Sequence, residues 1–127
     1  MLVSERHLEV TVDARRKLVV ATRGGAEVAT AEEVTEMIAH ARKTLETVQR
    51  AGLGILIDVR KAPLSVETRF AEQLLALRRE LTREFRRAAF LVQTKLGLLQ
   101  VQRFVREEKL SAQVFDDRER AIAYLTG

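Results

Sequence analysis

At 127 residues, with 46% hydrophobic and 31% charged side chains, the chain has the make-up of one globular domain rather than a disordered segment. It has no cysteine, which excludes disulfides, a thiolate nucleophile and cysteine-ligated zinc. The net charge of +4 comes from 22 basic residues interspersed with 18 acidic ones. Five Phe and one Tyr supply few stacking surfaces, so nucleic acid is a disfavoured partner. The opening MLVSERHLEV carries charge where a signal peptide needs an apolar run, and no stretch reaches the roughly 20 apolar residues of a membrane span. A cytoplasmic protein without a membrane span is expected.

LEVTVD, residues 8–13, alternates apolar and polar side chains, the period of a half-covered strand. KLVVATR, residues 17–23, reads as a second strand, and the short gap at residues 14–16 suits a hairpin. Thr30 with Glu33 three residues on is a capping-box signature. The helix it opens carries Val34, Ile38, Ala41, Leu45 and Val48 on one stripe and is expected to end at Gly52. LGILIDV, residues 53–59, is apolar on both faces, as central parallel strands are. After the loop holding the only proline, Val66, Phe70, Leu74, Leu77 and Leu81 form a second helical stripe. AAFLVQ, residues 88–93, is the next strand, and residues 96–108 form a helix with Leu98, Val101 and Val105 inward. AQVF, residues 112–115, is a short strand, after which Asp116 or Asp117 caps a helix burying Ala121, Ile122 and Leu125.

The fold class is therefore α/β: a single domain over residues 1–127 with one mixed, mostly parallel five-stranded sheet, an N-terminal β-hairpin and four helices. If the second to fifth strands run parallel, their C-terminal ends share a rim carrying Asp58, Lys61, Thr94, Lys95 and Asp116. An anion or small ligand held by Lys61 or Lys95 is one reading of this rim. Local capping is the favoured one, because these residue types are expected at caps and turns. Asp58 calls for a partner, and Arg60, Lys61 or the loop N–H groups are at hand. His7 and His40 show no ligand spacing, so no metal site is expected. The opposite edge gathers Arg15, Arg16, Lys17, Arg50, Arg83, Arg86, Arg87 and Lys109, a basic interaction face diluted by Glu84, Glu107 and Glu108. The second helix has Leu75 beside Leu74, Leu77 and Leu81, a face wider than one stripe. Deeper burial, a homodimer contact and a lipid-accommodating groove all fit that width.

The hairpin start, the strand ILIDVR, the loop and helix after it, the strand AAFLVQ and the ending VFDDRERAIAYL together resemble the STAS-like superfamily, the domains of sulfate transporters and anti-sigma-factor antagonists. The stand-alone bacterial branch matches best, through Val114, Phe115, Asp116, Ala121 and Leu125; lipid-binding CRAL-TRIO-like domains have a distantly similar layout. The resemblance implies a phosphoacceptor where the helix after the third strand begins, at Ser65 or Thr68. The family's Asp–Ser–Ser/Thr–Gly motif is not kept, since Val66, Glu67, Thr68 and Arg69 stand there. Ser65 is also a good N-cap, which is the favoured reading. With no recognisable catalytic set and no cofactor motif, the resemblance implies a non-catalytic regulatory module acting through contacts with a protein partner. The alternative is a small-ligand or lipid binder using the strand-end rim or the broad second helix.

Overall fold

The computed structural model describes residues 7–62 and 70–127. β1 (Leu8–Asp13) and β2 (Leu18–Arg23) form the antiparallel hairpin. The turn between them takes residues 14–17, one more than expected, because Lys17 closes it in the left-handed region with φ 55°. Its N–H donates to Ala14 O, and the Arg16 N–H donates to Asp13 Oδ1. Then follow α1 (Ala31–Leu45), a 3₁₀ turn (Arg50–Gly52), β3 (Gly54–Asp58), α2 (Ala71–Thr82), β4 (Arg87–Leu91), α3 (Lys95–Glu107), β5 (Gln113–Phe115) and α4 (Arg118–Thr126). The mixed five-stranded sheet with four helices is the one expected, and β2 to β5 are parallel.

The strands lie in the sheet in their order along the chain. Right-handed crossovers that always step the same way put α1, α2 and α3 on one face. The main core lies there: Val19, Ile55, Ile57 and Phe90 from the strands meet Val34, Met37 and Leu45 of α1 and Leu74, Leu77 and Leu81 of α2. Among the described residues only α4 covers the other face, setting Ala121 and Leu125 on Leu18, Leu56, Ala89 and Leu91.

Two helices differ from expectation. α1 stops at Leu45 rather than at Gly52, and the chain re-enters the sheet through the 3₁₀ turn. Its stripe is also rotated, with Met37 fully buried and Ile38 only half-buried. Unbranched and adaptable, Met37 fills the space under the helix better than a β-branched neighbour does. The other difference is α2, whose described part begins at Ala71; Val66, and with it the start of that stripe, lies outside the described residues.

Gly54 shares the α4-facing side of β3 with Leu56, and a Cβ there would stand 3.0 Å from Leu125 Cβ and 3.1 Å from Leu125 O. The missing side chain lets α4 sit down on the sheet. Gly54→Ala is expected to lower stability by about 1–3 kcal/mol through this overpacking. Urea denaturation checks it: the midpoint falls at unchanged slope.

Candidate functional site

The strand-end rim forms as the parallel strands dictate, and most of its side chains serve the local backbone. Thr94 caps α3, accepting from the Gly97 N–H at 2.9 Å. Thr30 caps α1, accepting from the Glu33 N–H at 3.3 Å. Glu33 accepts from the Ala29 N–H and meets the buried ring of His7 at Nε2. That bond to His7 is the main reason the Glu33 carboxyl is held below its usual value. Asp117, not Asp116, caps α4, taking the N–H groups of Glu119 and Arg120. Asp58 is gripped by Arg60 through Nε at 3.0 Å and Nη2 at 2.8 Å, with the Arg60 N–H at 3.1 Å. Burial alone would push the Asp58 carboxyl up, but this fork and backbone donor outweigh it and hold the group below the ordinary aspartate value. Lys61, Lys95 and Asp116 are exposed. Ser65 and Thr68 lie outside the described residues. The strand order is sequential and has no switch point, the place where doubly wound sheets open a crevice at their strand ends.

At the opposite edge the arginines separate into two groups. Arg15 and Arg16 are exposed on the hairpin turn. Arg86 donates to Leu125 O at 2.5 Å and Gly127 O at 3.1 Å, and Arg87 donates to Tyr124 O at 2.5 Å, so both bind the last carbonyls of α4. Arg83 pairs with Glu80 and Glu84. Arg50 is buried, donating to Glu80 O at 2.8 Å and Glu80 Oε2 at 2.7 Å, with its guanidinium over the Phe85 ring. Glu80 is only 4% exposed and also receives Arg42 and Arg83. The interaction face expected of Arg83, Arg86 and Arg87 is therefore largely engaged within the fold. Glu80 had no signal in the sequence beyond its place between Leu77 and Leu81 on the inner side of α2.

A concavity lined mostly by apolar side chains lies on the main-core side, between α2 and α3. α2 packs closely along α1 and stands off α3. The gap is a cavity of about 520 Å³ floored by Ile57, Val59 and Phe90 and walled by Leu75, Val101 and Phe104. Its outer end is closed by Arg78, which forks onto Glu108 at 2.8 and 2.5 Å and lies over the Phe104 ring. Arg103 at the rim pairs with Glu107 at 2.7 Å. Arg23, 6% exposed, comes up from β2 on the same side as Val19 and Ala21 and lines the floor. The extra width of the second helix is thus the wall of a groove: Leu74, Leu77 and Leu81 belong to the core and line the groove as well, and Leu75 joins them on its wall.

No family model and no curated protein matches the sequence. Among solved structures, the chain superposes on an uncharacterized DUF3478-family protein with a SpoIIAA-like fold from Shewanella loihica PV-4. The TM-score is 0.67 over 93% of this chain and 91% of that one, at 18% identity. The fold is SpoIIAA-like. The STAS-like resemblance read from the sequence is thus met at the level of the fold. In this SpoIIAA-like frame no helix of the described residues is long and apolar enough to cross a membrane.

Removing Glu80 strands the Arg50 guanidinium in the SpoIIAA-like core, so Glu80→Ala is expected to cost about 3–5 kcal/mol in denaturant melts. Burial raises the Glu80 carboxyl, and the fork from Arg42, Arg50 and Arg83 more than reverses this, leaving it below the ordinary glutamate value. A carboxyl lowered on folding contributes stability that is complete above its unfolded pKa and is lost as pH falls through the folded one. Wild-type melts should therefore weaken on acidification from the ordinary glutamate range downwards, with a flatter profile for Glu80→Gln.

Proposed function

We propose that this chain is a non-catalytic binding module that holds a small apolar ligand between α2 and α3. The cavity of about 520 Å³ carries the reading. It falls within the roughly 300–1,000 Å³ of small-molecule sites. A wall of Leu75, Val101 and Phe104 over a floor of Ile57, Val59 and Phe90 offers few partners to water, while apolar surface placed there gains about 25 cal/mol per Å². The non-catalytic part is supported by the fate of the acids: Asp58 and Glu80 are both neutralised by arginine, leaving neither as an evident general base. Among the described residues no group of three or more His, Asp or Glu is placed to hold a metal ion.

A second reading, regulation through contact with a protein partner, is favoured by Leu96 and Leu99. These are 67% and 64% exposed, one turn apart on α3 and outside the groove.

The uncharged fluorophore N-phenyl-1-naphthylamine tests the first reading. Saturable binding is expected, weakened at least about tenfold, or ~1.4 kcal/mol, in Leu75→Glu. The Leu96→Asp, Leu99→Asp double variant should bind as wild type does. Absent binding, or equal binding by Leu75→Glu, overturns the groove as the site.

A further inference from the structure

We propose that the groove's ligand is an uncharged chain with a hydroxyl or amide head, seated with the head on Gln100 of α3 and the chain running towards Arg78 of α2. The inference rests on the groove being the binding site and names the class of its ligand. Gln100 lies beside Val101 on the groove wall and is the one uncharged polar side chain among the described lining residues. It is half-buried, and its amide makes no hydrogen bond to any described residue. An amide both donates and accepts, so it can take an O–H from a head group and give an N–H back. A polar group partly removed from water gains most from a partner that restores both bonds.

The charges along the groove disfavour a charged head. Arg78 is neutralised by Glu108 and Arg103 by Glu107. Arg23 on the floor already has its partner within the chain. A carboxylate at Gln100 would therefore give up hydration with no cation left to take its charge. Among the described lining residues a cationic head would meet Glu72, which stands exposed in the first turn of α2, where water screens it. An uncharged head that matches the amide loses less.

The two helices also set a length. Both run back from the strand ends, and the Arg78–Glu108 contact fixes their stagger. The lining starts at Ala71 on α2 and at Gln100 on α3, so these two share the end away from the ion pair. From Gln100 to Glu108 the wall extends about 12 Å at the helical rise of ~1.5 Å per residue. An extended chain advances about 1.3 Å per carbon for a C–C bond of ~1.5 Å, so about nine carbons reach from the head to the closed end.

The experiment is displacement of bound N-phenyl-1-naphthylamine from the whole chain by 1-nonanol, methyl nonyl ether, nonanoate and nonyltrimethylammonium. The ether keeps an acceptor but has no O–H to give, and being more apolar it would win in a groove that ignored the head. The alcohol is expected to displace at least about fivefold more tightly than the ether, a difference of ~1 kcal/mol, with both ions weaker than the alcohol. Gln100→Met, checked for folding by circular dichroism, should erase or reverse the preference for the alcohol. An ether as tight as the alcohol in wild type overturns the head assignment, as does either ion matching the alcohol or a preference surviving in Gln100→Met. If Gln100→Met does not fold, the wild-type order of the four heads decides alone. Failure of the fluorophore to bind at all removes the groove reading and this inference with it. Its binding without head discrimination removes only the inference.

Discussion

Four parallel strands laid side by side in chain order, joined by right-handed crossovers, crowd α1, α2 and α3 onto one face of the sheet. Most other features follow from that constraint. The far face is left to α4 among the described residues: the last helix folds back across β3 to β5, and Gly54 provides its seat. On the crowded face α2 cannot pack equally well on both neighbours. It lies along α1 and leaves a gap towards α3, whose fully buried residues are only Gly97 and Val101. The groove is a product of this uneven packing, and the Arg78–Glu108 ion pair bridges the two helices at its outer end.

The arginine-rich edge is a fastening device before it is a surface. Arg50 ties the 3₁₀ turn to the end of α2 through Glu80, and Arg86 and Arg87 hold the last turn of α4 by its carbonyls. Each carbonyl bound in this way is one that the helix end would otherwise leave without a partner. Basic charge counted along the chain therefore overstates what the edge can offer an external partner.

Elements governed by local chemistry were legible in the sequence. Alternation gave β1, the all-apolar run gave β3, and Thr30 caps α1 through a bond three residues long. Features that depend on distances between elements were not. The His7–Glu33 and Arg50–Glu80 contacts join residues 26 and 30 positions apart, and nothing local marks either. Met37 displaced Ile38 because the space under a helix, not its hydrophobic period, chooses the buried side chain. The broad apolar face of α2 was visible, yet whether it met core, a second copy or a cavity depended on where α3 stands. The rim at the strand ends was anticipated from the topology, but only the strand order itself showed that it lacks a switch point.

The most direct test of the account is nuclear magnetic resonance on methyl-labelled protein with N-phenyl-1-naphthylamine bound. The account predicts intermolecular NOEs from the aromatic protons of the probe to the methyls of Leu75, Val101 and Ile57, with none to Leu96 or Leu99. Contacts confined to Leu96 and Leu99, or shifts gathered at Lys61, Thr94 and Asp116, would contradict it.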